Sequence, residues 1–389
     1  MKQINALFLD AYRELNHRKL FWITLVLNVI VVLAFAAIGN DSKGLTILHW
    51  SIPFPLVSTS FIPSADFYKF IFAQLGVGLW LGWIASIIAL VSTASIFPDF
   101  VDRGSIDLML SKPIGRARLF IIKFATGLLF AGLQVMVFTA ASFLVIGFRG
   151  GDWEPWLFVA IPIVLVFYSY LFAVQAVIGL LTRSVIASII GVLLFWLLLF
   201  LIQTGDGATL AWRVTQEMTT ERRAERLDRL EVISSEAEDE RLRLVRLVDD
   251  GDEFAQEDLD RATDDSDLLA ARFLAVREEQ AEELEVLETA TLVNDWFHLA
   301  NTMLPKTGET IYMLERILRD NAGLVIPIRG EGDETIRQFG EMVGPREFNE
   351  RYTAAEDETH SYAWVLGTSL CFEALVLGFG CWRFSRRDY

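Results

Sequence analysis

The chain has 389 residues, 53% of them hydrophobic, and its 50 acidic against 34 basic residues give a formal net charge of −16. Such an acidic balance repels phosphate backbones and excludes nucleic acid as a partner. Its two cysteines, Cys371 and Cys381, are about 15 Å apart if their segment is helical, which excludes a disulfide between them.

The charge is unevenly distributed. Residues 205–360 hold 39 acidic and 18 basic residues, whereas the remainder holds 11 and 16. The acidity therefore belongs to one soluble insert, and the rest of the chain is apolar and mildly basic.

At the start, Ile4, Leu7, Phe8, Ala11 and Leu15 recur at helical spacing among charged residues. Residues 1–19 are thus expected to form an amphipathic helix in the membrane interface, and they carry no short apolar region with a small-residue cleavage site. Six apolar runs follow, at 20–40, 70–98, 124–148, 155–182, 184–205 and 361–382, the last interrupted only by Glu373. About 20 residues cross the ~30 Å of a bilayer's hydrocarbon, so each run is long enough to span. The fold class predicted is an all-α integral membrane protein with six transmembrane helices. Its divisions are the interfacial helix (1–19), spans 1–5 (20–205), the insert (206–360), and span 6 with a basic tail (361–389).

The positive charges of the short connections orient these spans. A cytoplasmic N-terminus puts thirteen Lys and Arg residues on the inside and only Lys43, Lys69 and Arg149 outside. That bias predicts both termini in the cytoplasm and the insert outside. The expected location is the plasma (inner) membrane of a bacterium.

Within the insert, residues 213–248 repeat Val214, Met218, Leu227, Leu230, Ile233, Ala237, Leu244 and Val248 among charges. After an acidic break, residues 268–292 carry Leu269, Phe273, Val276, Leu284, Leu287 and Thr291 on one stripe. The pair reads as an extracytoplasmic coiled-coil hairpin, residues 213–292, inserted between spans 5 and 6. Two amphipathic segments, 293–305 and 309–318, are expected to lie on the outer membrane surface beside the last span.

Catalytic signatures are missing. No phosphate-binding G-x-x-x-x-G-K-[ST] loop occurs, the four histidines are scattered without HExxH spacing, and no GxSxG elbow appears. No catalytic residue, cofactor or metal site is expected, and the chain is not read as an enzyme.

The connection between spans 2 and 3, residues 97–124, reads FPDFVDRGSIDLMLSKPIGRARLFIIKF. Asp102, Gly104 and Ser105 open a short helical stretch through Asp107 and Leu110, Ser111 and Pro113 close it, and Arg116 and Lys123 mark the return to the bilayer. This pattern resembles the permease subunits of ABC-2 type transporters, in the branch of multicopper-enzyme-maturation and nitrous-oxide-reductase-maturation permeases. That family's first acidic position is not clearly matched, since Asp99 is displaced by one residue. The resemblance extends over the N-terminal helix, the spans and the helical element before span 6, but not over residues 213–292. It implies a homodimer or heterodimer of permeases bound to a separate ABC ATPase subunit, with Asp102, Gly104, Ser105, Asp107, Leu110, Ser111, Pro113 and Arg116 at the ATPase-coupling contact. The function implied is export driven by the partner's ATP hydrolysis. Two alternatives stay open. One is a mechanotransmitter that regulates an extracytoplasmic partner through the hairpin without moving a substrate, and the other is a membrane scaffold without ATP.

Inside the spans, Glu373 is the costliest residue to bury. A carboxylate at that depth faces a bundle interior or a wet cavity, with Gln134 or Gln175 as its expected hydrogen-bond partner. Glu373, Gln134 and Gln175 form the candidate intramembrane polar site.

Overall fold

The computed structural model describes residues 19–53, 57–59, 62–101, 115–250, 255–324 and 346–386. Residues 1–18 of the interfacial helix expected at 1–19, and the coupling positions Asp102 to Pro113, lie outside the described residues. Contacts divide the chain into two compact units, one of Met1–Gln203, Ala300–Arg346 and Glu358–Tyr389, the other of Thr204–Leu299 and Glu347–Asp357.

Helices dominate. α1 covers Lys19–Ala37, and α2 (Ser64–Phe100), α3 (Arg116–Gly150), α4 (Pro155–Thr182), α5 (Val185–Asp249) and α9 (Tyr362–Arg386) are each long and apolar enough to cross a membrane. α6 (Ala255–Met303), α7 (Thr307–Ala322) and α8 (Arg346–Thr359) complete the order. Several such long apolar helices are the mark of a membrane-embedded, mainly α-helical protein.

Local chemistry explains the breaks between helices. Glu154 accepts a hydrogen bond from Trp156 N (3.2 Å) and Pro155 follows it, so α4 begins with its first orphan donor satisfied. α4 ends at Arg183, whose left-handed backbone (φ 52°) turns the chain into α5. Between α1 and α2 the chain forms an antiparallel meander that the all-α expectation omitted, with β1 at Ile38–Asp41, β2 at Gly44–Ile47 and β3 at Trp50–Pro53. Asp41 Oδ1 accepts from Lys43 N (2.7 Å) and Gly44 N (3.0 Å), closing the first turn. These strands are only four residues long, and no alternation of that length stands out beside runs of twenty apolar residues.

Two buried clusters hold the first unit together. One gathers Phe97, Phe100, Phe120, Phe124, Phe172 and Phe384, and the other gathers Phe35, Tyr68, Phe72, Phe138, Val164 and Leu314. Between membrane helices the lipid is as apolar as the side chains, so cohesion comes from close packing rather than from escape from water. Gly127 marks the tightest approach of α3 to α4, where an added Cβ would stand 2.2 Å from Phe172 Cζ. α7 is packed against α4 and α2, with Thr310, Met313, Leu314, Glu315 and Leu318 buried, where the sequence suggested a helix lying on the membrane surface. Lys69, only 4% exposed, joins its far end by donating to Ala322 O (3.0 Å) while pairing with Asp152 (2.6 Å).

In the second unit α5 and α6 exchange contacts in antiparallel order. Asn294 donates to Thr209 (3.1 Å), Arg223 pairs with Glu279 and with Glu283 (2.7 Å), and Ser266 donates to Glu238 (3.1 Å). The less exposed face of α6 runs through Ser266, Leu269, Phe273, Val276, Gln280, Glu283, Leu287, Ala290 and Asn294, alternating steps of three and four. The matching face of α5 runs through Leu227, Leu230, Ser234, Ala237, Arg241, Leu244 and Val248. Ile233 and Leu284, which the sequence put on the stripe, are 47% and 49% exposed and lie off this seam. Polar residues stand among the less exposed positions; Arg223 pairs across to Glu279 and Glu283, whereas Arg241 pairs with Glu238 on its own helix. α8 adds Phe348, Tyr352 and Ala355 against Leu210, Val214 and Met218 of α5.

Two outcomes are expected from this packing. Gly127→Val must push Phe172 away and should cost about 1–3 kcal/mol, read as a lower melting temperature of the purified protein. An unchanged melting temperature would contradict the close approach of α3 and α4. For α8, the Arg222 guanidinium hydrogen-bonded to Glu347 (2.6 Å) holds its carboxyl below the usual value of 4.5. A carboxylate so lowered contributes stability that is complete above its unfolded pKa and lost as pH falls through the lower folded one. Amide-exchange protection of residues 346–359, corrected for intrinsic rates, should therefore hold from pH 7 to about 5 and drop below about 4. Glu347→Gln should reduce protection at pH 7 and shrink that drop.

Candidate functional site

Hydrogen bonds inside the apolar helices fall into separate pairs rather than one polar site. Gln134 of α3 accepts from Asn28 Nδ2 of α1 (2.8 Å) and donates to Phe21 O (3.0 Å), while Trp80 of α2 donates its indole N–H to Asn28 Oδ1 (2.7 Å). Gln175 of α4 donates to Leu90 O of α2 (2.9 Å), beside Thr93 and Tyr168, whose hydroxyls are 2.8 Å apart. Glu373 of α9 meets Ser169 of α4 (2.9 Å), not Gln134 or Gln175. The three residues singled out in the sequence thus fasten three different helix contacts. Each amide spends its hydrogen-bonding capacity on a neighbouring helix, which is how a polar group survives where no water reaches.

The Ser169 hydroxyl is also 2.8 Å from Val166 O, three residues back along its own helix. One hydroxyl hydrogen cannot serve both oxygens at once, so Val166 O and Glu373 compete for it. Beside Glu373 on α9, Ser369 accepts from Lys306 N (2.9 Å), and Thr368 accepts from Lys306 Nζ (2.6 Å). Lys306 is fully buried, its ammonium also donating to Thr302 O and Leu304 O (both 2.8 Å) and lying 4.6 Å from the Trp364 ring centre. It fixes the start of α7 to α9.

A cleft of about 240 Å³ opens between α2, α4, α5 and α7 within the first unit. Along Phe72–Ala85 α2 takes the wider π-helical winding, uncommon outside short segments at functional positions, and this stretch supplies Gln74, Gly78, Gly82 and Trp83 to the cleft. Trp83 stacks on Trp196 of α5 (centroids 4.9 Å, planes 16° apart), with Phe200 edge-on to Trp83 and Phe167 edge-on to Trp196. Opposite this aromatic wall, α7 contributes Thr307, Gly308, Ile311, Tyr312 and Glu315. Gln74 donates to Glu315 Oε2, tying α2 to α7. Gln203 of α5 donates to Pro305 O (3.0 Å) and accepts from Gly308 N (2.9 Å) and Thr307 Oγ1 (3.1 Å), so it holds the first turn of α7 in place and satisfies an otherwise orphan helix donor.

Gln74 lies within the apolar run at 70–98, whereas Glu315 lies in none of the apolar runs. Its segment, 309–318, alternates charged and apolar residues and resembles any surface helix; only the packing of α7 against α2 gives this carboxylate a buried position. Of the coupling positions, Arg116 is described, at the start of α3, where its Nη1 donates to Ser385 O (3.4 Å) of α9.

Glu373→Gln retains a carboxamide able to donate to Ser169, whereas Glu373→Leu leaves Ser169 facing hydrocarbon. The first should fold with an unchanged melting temperature, and the second should lose about 1 kcal/mol, the usual size of an interhelical hydrogen bond in a membrane. Equal stability of the two variants would show that the contact fastens nothing. No protein-family model, curated protein or solved structure matches this chain.

Proposed function

We propose that this chain is the membrane-spanning permease subunit of an ABC-2 type exporter, with ATP hydrolysed by a separate ATPase subunit. Its six spans are α1, α2, α3, α4, the apolar first part of α5, and α9. An even count puts both ends of the chain on one side, and the thirteen-to-three bias of positive charge makes that side the cytoplasm. The acidic part of α5, with α6, then forms a hairpin outside the plasma membrane of a bacterium. A second permease copy or a related chain completes the dimer that the resemblance implies.

The observation carrying this reading is the aromatic clamp at the ends of the connection with the ABC-2 pattern. Phe97 and Phe100, at the end of α2, meet Phe120, at the start of α3, and Phe384 of α9, with ring centroids 5.1 Å apart for Phe97–Phe120 and 5.0 Å for Phe100–Phe384. A partner pressing on residues 102–114 would load α2, α3 and α9 together, because a packed cluster moves as a body rather than deforming gradually. That is the mechanical requirement of a subunit that receives work from an ATPase.

Mechanotransmission is the second reading, favoured by one observation. α5 is one helix from Val185 to Asp249, continuous from apolar to acidic sequence. In that case the hairpin delivers the motion to an extracytoplasmic protein, and nothing is exported.

The test is ATPase activity of the complex reconstituted with its ATPase subunit. Asp107→Arg reverses a charge at the proposed contact, and stimulated hydrolysis should fall at least tenfold while membrane insertion and yield stay unchanged, a loss equivalent to about 1.4 kcal/mol of coupling. Full stimulation in this variant would remove the connection from the mechanism. Replacing residues 213–292 with a flexible linker separates the two readings, since export survives the replacement and mechanotransmission does not.

A further inference from the structure

We infer that the β-meander is a lipid-contacting foot, its apolar face and its second turn lying in the headgroup–acyl boundary of the bilayer at the end of α1. Strand pairing sets the two faces of the sheet. Residues opposite one another share a face, so Leu45, Ile47, Trp50 and Ile52 stand on one side and Thr46 and Ser51 on the other. Towards β1 the apolar side is covered, since Ile38 and Leu45 pack against a buried cluster of the first unit. Towards β3 it is open, with Trp50 81% exposed. The two turns differ in the same way. Asp41 closes the first, which presents Ser42 and Lys43, whereas the second presents Leu48 and His49. Leu48 is 69% exposed and holds a left-handed backbone (φ 57°), a conformation that suits glycine or asparagine and that a bulky side chain rarely takes. Water gives a leucine no advantage at that position; lipid does, by covering its side chain.

Hydrogen bonds set the level of this apolar edge. Leu48 N donates to the carbonyl of Ala37, the last residue of α1 (2.8 Å), so the second turn folds back to the end of that helix. α1 has 19 residues and rises about 28 Å, close to the ~30 Å of hydrocarbon. Its exposed stripe of Val26, Ile30 and Leu33 leads towards Ala37, so the lipid-facing surface of α1 continues into Leu48 and Trp50. The turn between α3 and α4 lies at the same end, because Arg149 donates to the Tyr68 hydroxyl (2.7 Å) and that hydroxyl donates to Ile38 O (2.8 Å). There Phe148, 78% exposed, stands edge-on to Trp153 (centroids 5.2 Å). Aromatic residues with a polar tip gather at this depth in membrane proteins, the ring in apolar surroundings and the N–H in wet ones. The edge of the sheet limits how deep it goes. Among the described residues no strand flanks β3 on its outer side, and backbone groups there exclude the hydrocarbon core, where nothing would bond them. Headgroups and water serve them at the boundary. Strand addition by a protein fits less well, because the edge is four residues long and ends in Pro53, which has no N–H.

The inference rests on α1 crossing the bilayer, as the six-span arrangement has it, and needs neither an ATPase nor transport. The full chain with Cys371→Ala and Cys381→Ala receives one new cysteine at a time, by Ile30→Cys, Lys43→Cys, Leu48→Cys or Trp50→Cys. Each is labelled with an NBD fluorophore in phosphatidylcholine nanodiscs and quenched by lipid carrying a nitroxide at acyl carbon 5 or 12, or by aqueous iodide. Quenching by the carbon-5 nitroxide should be at least threefold stronger at 48 and 50 than at 43, and quenching by iodide at least threefold weaker. Position 30 should respond most to carbon 12. If 48 and 50 behave like 43, the meander stands in water and the proposal is wrong. Shielding of 48 and 50 from both kinds of quencher also overturns it and makes the face a contact with protein, a second copy of this chain included. In both cases quenching at 30 leaves the span of α1 standing, whereas no quenching at 30 removes that span and the proposal together. Positions 48 and 50 are read in separate variants, so misfolding of one leaves the other to decide.

Discussion

A bilayer offers a buried polar group nothing to bond to, and most of this structure follows from that constraint. Several polar side chains placed deep in the apolar runs are matched to an oxygen or nitrogen on another helix. Asn28, Trp80 and Gln134 tie α1, α2 and α3. Gln175 ties α4 to α2, and Glu373 meets Ser169 to tie α9 to α4. An unmade bond at such a position costs several kcal/mol, whereas the made bond adds only about one, so these contacts select one arrangement of helices more than they strengthen it. Strength comes from packing, as where Gly127 lets α3 reach the Phe172 ring.

The second unit works under the opposite constraint. Water competes for every charged group, and its exposed ion pairs contribute little individually. Its α5–α6 seam nevertheless keeps Arg223, Arg241, Gln280 and Glu283 at inner positions where leucines would bind more tightly. A seam interrupted by matched polar groups tolerates only the register that pairs them, since a shift by one heptad would leave Arg223 away from Glu279 and Glu283. The long acidic helices thereby gain a defined alignment at the cost of cohesion.

How much of this was legible depends on how local the signal is. The apolar runs and the helical insert could be read directly, because twenty residues without charge have few other fates and acidic helix formers recur at helical spacing. Counting only apolar residues placed Leu284 on the stripe of the second helix, where the structure leaves it half-exposed and partly buries Glu283 instead. The meander escaped notice because four-residue strands carry too little pattern. The partners of Glu373 and Glu315 were beyond reach for a different reason. Which helices neighbour one another is set by the sum of many weak contacts, and no spacing within one segment encodes Ser169 as the partner of a residue 204 positions away.

The cleft combines the two regimes. Its aromatic side belongs to helices whose remaining surface suits lipid, and its carboxylate belongs to α7, a helix drawn from the acidic part of the chain. α7 is fastened at its first turn by Gln203, in its middle by Gln74, at its far end by Lys69 and at its entry by Lys306. Four attachments to three helices, α2, α5 and α9, leave α7 little freedom to shift by itself, so any change in the spacing of α2 and α5 must move it or break one of them. Motion of α2 at its other end, where Phe97 and Phe100 pack on Phe120 and Phe384, would therefore change the shape of the cleft between Trp83 and α7.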